Sequence, residues 1–204
     1  MSEVKTAKLS PRTGAGTVTL GTSGDTFDVP SGVTLDVTGA TVTGLTTGKV
    51  LQVISETKTD IQTVAGDAGW TTVIDLDITP SSTSSKILMI ANISAGATHR
   101  YSAFKAFRDT TGIAIGDSAG SRTPNTTPLS ANSDETSQSY VMRSTGFNFL
   151  DSPSSTSAVT YAVKVQNNLG SASYITYINR SPDDGDAAHT GRAVSTLTLM
   201  EIGV

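Results

Sequence analysis

Residues 70–93, "WTTVIDLDITPSSTSSKILMIANI", decide how this chain folds. In the first nine, Trp70, Ile74, Leu76 and Ile78 point one way while Thr71, Asp75 and Asp77 point the other. That period of two suits a strand with one wet face. The run "TPSSTSSK" is turn chemistry. "ILMIANI" is apolar on both faces, as expected of a central strand. Two strands of different character joined by a polar link begin an antiparallel, all-β domain.

The same signals continue toward the C-terminus. Residues 101–108, "YSAFKAFR", and 112–115, "GIAI", read as a hairpin across "DTTG". A helix is the competing reading there, because Tyr101, Phe104 and Phe107 also fall at helical spacing. After a polar loop at about 117–137 come "SQSYVMRST" and "FNFL". "AVTYAVKVQ" places Val159, Tyr161, Val163 and Val165 on one face. "NNLG" turns into "SASYITYINR", and "AVSTLTLMEI" closes the chain. Eight or nine strands between 70 and 204 predict an antiparallel β-sandwich head, jelly-roll-like in its spacing.

Composition agrees. Of 204 residues, 36% are hydrophobic and 16% charged, both below the globular norm, with Ser and Thr filling the difference. Net charge is −4 and Lys/Arg forms no stripe, which argues against nucleic acid as a partner. No apolar run approaches the ~20 residues a membrane-spanning helix needs, so no membrane insertion is expected. The start "MSEVKTAKLSPR" has no apolar secretory core. Without cysteine, disulfides and thiolate metal sites are excluded.

Upstream, the pattern changes. Residues 1–20 form a short leader in which Lys5, Lys8 and Arg12 are candidate contacts to a larger particle; a solvated tail is the bland alternative. Residues 21–69 hold a glycine-punctuated zone and a link, and 70–204 the head. In "SGDTFDVPSGVTLDVTGATVTG" the apolar residues Phe27, Val29, Val33, Leu35, Val37 and Val42 alternate with polar ones, but the strands are only three to five residues long. Fixing one residue's backbone costs about 1–2 kcal/mol, and such strands bury too little alone to offset it. A flexible linker would not keep the alternation. The expectation is an N-terminal oligomeric β-stem, three chains sharing one interior.

With those residues in view, the chain resembles tail-fibre and virion-appendage proteins of marine, cyanophage-like bacteriophages. "LSPRTGAGTVTLGTSGDTFDVPSGVT" is similar to their N-terminal part. "TTVIDLDITPSSTSSKILMI", "FNFLDSPSSTSAVTYAVKVQNN" and "STLTLMEI" look like their shared C-terminal domain. The resemblance covers most of the chain. It implies a virion structural protein, a homotrimer, anchored near its N-terminus to another virion protein with the head outward. Tail fibre or spike and capsid decoration or head fibre both stay open, and host-surface polysaccharide is the candidate external ligand. An autonomous carbohydrate-binding module is the rival outside the virion.

Signals for chemistry are weak. "GDSAG", 116–120, is a literal G-x-S-x-G, but the two prolines that follow bar the helix that motif requires, and Ser118 would need His99 or His189 as base. No catalytic residue is expected. Asp183, Asp184 and Asp186 beside His189 could offer oxygens to Ca²⁺, yet the spacing is not that of an EF-hand; a solvated loop is the expected role, with no metal and no cofactor. Asp75, Asp77, Asp134, Glu135 and Asp151 provide carboxylates but no glycosidase pair. Gly14 and Gly16 lack the βαβ context of a dinucleotide site. For receptor binding, aromatic and basic side chains matter most. The candidates are His99, Arg100 and Tyr101, with Phe104 beside them, and Tyr174, Tyr177 and Arg180.

Overall fold

The computed structural model describes residues 26, 28–29, 31–37, 50–99, 101–130, 140–167 and 170–203. Two units divide the chain, Met1–Leu45 and Thr46–Val204. In the first, residues 33–37 belong to no strand within the single chain, and Gly32 turns with a φ of 85°. Val33 and Leu35 are each 60% exposed and Val37 42%. Lys5, Lys8, Arg12, Phe27 and Val42 lie outside the described residues.

The second unit is a β-sandwich of eleven strands among the described residues: β1 (Val50–Lys58), β2 (Gln62–Val64), β3 (Thr71–Ile78), β4 (Lys86–Ala97), β5 (Tyr101–Arg108), β6 (Thr111–Ile113), β7 (Thr127–Ser130), β8 (Arg143–Asp151), β9 (Val159–Gln166), β10 (Thr176–Ile178) and β11 (Ser195–Ile202). All pairings are antiparallel. The segment 46–69, assigned to stem and link on sequence, belongs to this unit, and β1 pairs along its whole length with β11.

Several strands share a lane. β10 and β11 lie end to end along one edge of β4, with β8 on the other edge; β1 and β2 flank β11 and β10 in turn. In the second sheet β6 and β7 share the free edge of β5, whose other edge carries β9 and then β3. Counting lanes in chain order, the first sheet runs 1-8-3-6 and the second 2-7-4-5. Only the β5–β6 hairpin keeps successive lanes in one sheet. Asp109 makes that turn at φ 53°, a conformation Asp tolerates. Its amide donates to Thr160 O (2.7 Å), and its carboxylate accepts from Thr160 N (3.0 Å), locking the turn to the start of β9.

The expected alternation forms the core. Ile87, Met89, Ile93, Leu197 and Leu199 of the first sheet meet Phe104, Tyr161, Val163 and Val165 of the second in one buried cluster. β5 is a strand, so the helical spacing of its aromatics was coincidence: Phe104 is buried and Phe107 faces outward. Tyr161 crosses the interior to donate to Asp151 Oδ2 (2.7 Å), which Arg108 also binds (2.8 Å), tying β9 and β5 to β8.

One reading needs correction. Trp70 does not share the inward face of Ile74, Leu76 and Ile78. The register shifts between Thr72 and Ile74, and both Val73 and Ile74 are buried. An extra residue in one strand flips the parity beyond it, so Trp70 packs outside against Phe107.

Candidate functional site

The two groups singled out for receptor contact meet through His99 and Tyr174 at the end of the sandwich where β4 passes into β5 and the chain enters β10, while Tyr101 and Tyr177 stand on the outer faces of different sheets. His99 from the corner lies against Tyr174, ring centroids 5.8 Å apart. His99 Nε2 is 3.1 Å from Ser102 Oγ, which is 2.7 Å from Thr176 Oγ1. Thr98 holds the same segment from the other side: its amide donates to Ile175 O, and its hydroxyl accepts from Ile175 N at 2.9 Å. The corner and β10 are thus joined in one polar knot.

Burial decides what this knot can do. His99 is 6% exposed, and Ser102 and Thr176 are 0%. Desolvation depresses the imidazole pKa below its ordinary value, favouring the neutral ring. A serine beside a histidine is suggestive, but Ser102 is sealed from solvent and shared with Thr176. A nucleophile also needs space for a substrate, so the arrangement reads as structural.

The exposed members are Tyr174, at 40%, with Tyr101, Tyr177 and Arg180 partly covered. Tyr101 Oη accepts from Asn125 Nδ2 (2.9 Å). Arg180 lies over the Tyr177 ring, 3.9 Å from its centroid, and donates to Ser181 O and Pro182 O. That guanidinium is occupied by its own loop, which limits what it offers a ligand. Arg100 lies outside the described residues.

The other sequence candidates are scattered. Ser118 sits in the exposed loop after β6, while His189 packs on Tyr140, with centroids 4.4 Å apart. Asp184 pairs with Arg192 and, at 3.8 Å, with Arg180; Asp183 accepts from Gly185 N at 2.8 Å. No group of acids and histidines among the described residues is arranged to hold a metal ion. Asp75 and Asp77 are on the outer face of β3, and Asp151 is the buried partner of Arg108 and Tyr161. Asp134 and Glu135 fall outside the described residues.

Sequence reasoning missed a different constellation. Trp70, Lys105, Phe107 and Lys164 assemble on the outer face of the second sheet, with Lys105 Nζ over Trp70 and Lys164 Nζ over Phe107. The alternation of Lys105 and Phe107 in "FKAFR" was a usable hint, but the bulge that turns Trp70 outward was not visible in residue types. No family model matches the chain, and neither does any curated protein.

Proposed function

We propose that the chain is a structural protein of a bacteriophage virion, a homotrimeric tail-fibre or spike-like appendage anchored through its N-terminal region. Its work is assembly and adhesion. The virion assignment rests on the resemblance of residues 9–34 and of the head segments to such appendages. The lane orders 1-8-3-6 and 2-7-4-5 support a jelly-roll head, since a jelly roll interleaves eight lanes between two sheets in that way.

The observation that carries self-assembly is an apolar row on the solvent side of the first sheet. Val53, Met200, Leu88 and Leu150 are successive cross-strand partners on β1, β11, β4 and β8, with Ile90 in the adjoining row. Val53 is 54% exposed, Leu150 46% and Ile90 42%. Four lanes about 4.8 Å apart and about 26 Å long present roughly 500 Å² of face. A stable interface takes about 800 Å² per partner, so this face would supply a large part of one. Val33, Leu35 and Val37, exposed in the single chain, are what a shared stem would bury. Copies of this chain are the partner that meets both needs.

Light scattering on the full chain and on a chain lacking residues 1–45 tests the proposal. Three-fold mass for the full chain, reduced by the deletion, is the expected result. A monomeric full-length protein overturns it. A trimer that persists unchanged without residues 1–45 removes the stem and leaves the head face as the assembling element. Capsid decoration is the second reading, and imaging virions that carry a labelled copy separates it from a tail position.

A further inference from the structure

The outer face of the second sheet holds a feature that assembly does not explain. Lys105 on β5 and Lys164 on β9 are directly opposite each other in the ladder. Like charges so placed, with Cβ atoms about 5 Å apart, destabilise an antiparallel pair. Neither ammonium forms an ion pair with a carboxylate among the described residues. Each rests on a ring instead: Lys105 Nζ is 4.3 Å from the Trp70 ring centroid and Lys164 Nζ 4.6 Å from that of Phe107. The two rings meet edge to face at 6.0 Å. All four side chains are half-exposed, and Trp70 is the only tryptophan in the chain.

An exposed ammonium is held more weakly by a ring face than by a charged hydrogen-bond acceptor. An anion reaching this face would therefore draw the ammonium groups off the rings. The indole face uncovered in this way suits the apolar face of a sugar ring. The patch is also narrow. Asp75 and Asp77 stand on the same face of β3, and Asp77 accepts from Thr160 Oγ1 at 2.6 Å. Two cations bounded by acids are too few for a continuous phosphate track, but they match one carboxylate or sulfate on a saccharide unit.

We propose that Lys105, Lys164, Trp70 and Phe107 form a binding site for acidic polysaccharide, the acid group seated between the two lysines and a sugar ring on Trp70. The site deepens the adhesive part of the reading above and rests on it for its setting alone.

Affinity electrophoresis of the full chain through gels containing alginate, dextran or double-stranded DNA tests the site, with the mass of each sample measured in parallel. The expected result is retardation by alginate, weakened by salt, without retardation by dextran or DNA. Lys105→Gln with Lys164→Gln should lower alginate affinity at least about tenfold while leaving the unfolding midpoint equal or higher, since a like-charge pair has been removed. Lys105→Arg with Lys164→Arg should keep binding, and Trp70→Leu should weaken it severalfold. No retardation by alginate overturns the site, as does a double Gln variant that runs like wild type. Equal retardation by dextran removes the role of the acid group, and equal retardation by DNA removes the sugar; either overturns the proposal. A monomer that still binds alginate sinks the appendage reading alone, and a trimer that does not sinks this site alone.

Discussion

Glu201 shows how a single residue can conflict with its surroundings and still hold. It is 1% exposed at the end of β11 and has no cation partner among the described residues. Burial raises its pKa, but hydrogen bonds from Ser81 Oγ (2.6 Å), Ser81 N (2.7 Å) and Gln52 Nε2 (2.6 Å) outweigh that and hold it at about 2, against an ordinary 4.5. A depressed carboxylate pKa stabilises the fold above the unfolded value, and that stability is lost as pH falls through the folded one. Urea unfolding should therefore show a contribution constant above pH 4.5 and lost between 4.5 and about 2. Glu201→Gln should cost about 1.5–3 kcal/mol at pH 7 and flatten the acid limb. An acid limb parallel to wild type would remove Glu201 as its source.

Among elements, the two broken lanes are the informative case. β1 stops at Lys58 and β2 restarts at Gln62; beside them β10 stops at Ile178 and β11 restarts at Ser195. Asn179 joins the breaks. Its Nδ2 donates to Lys58 O and Asp60 O, both at 2.9 Å, and its Oδ1 accepts from Ser195 Oγ at 2.7 Å, whose oxygen in turn accepts from Ser94 N. At φ 61° it also occupies the left-handed region that Asn tolerates better than most residues. The bridge between Arg180 and Arg192 then closes the neck of the excursion at 179–194. Asn179→Ala takes the amide donor from Lys58 O and Asp60 O and the acceptor from the Ser195 hydroxyl, and should cost about 2–4 kcal/mol. Chemical denaturation measures it; a change under about 0.5 kcal/mol would mean the lanes do not depend on this side chain.

For the whole molecule, the two outer faces differ in character. One presents the apolar row through Val53, Met200, Leu88 and Leu150; the other presents lysines over aromatic rings. If the first face meets copies of the chain, Leu88→Lys should lower the assembly mass in light scattering while leaving the far-ultraviolet circular dichroism of the sandwich intact. An unchanged mass at micromolar concentration would free that face from any role in assembly. Leu88 points away from the core, so the substitution does not place a charge in the interior.

The sequence by itself determined the all-β class, the pairing of 101–108 with the strand after "DTTG" and the inward set on β9, because a period of two is local and that strand displays it alone; β4, apolar on both faces, did not show which face turns inward. It also brought out His99, Tyr174, Tyr177 and Arg180 as chemically rich, without showing that His99 is sealed in. The tertiary structure decided which lanes adjoin, that residues 50–64 belong to the sandwich, and that Asn179 bridges two strand breaks. It also turned Trp70 outward through a one-residue bulge and set Lys105 opposite Lys164. These are pairings between residues far apart in the chain, fixed by register between strands, and register has no signature within either strand alone.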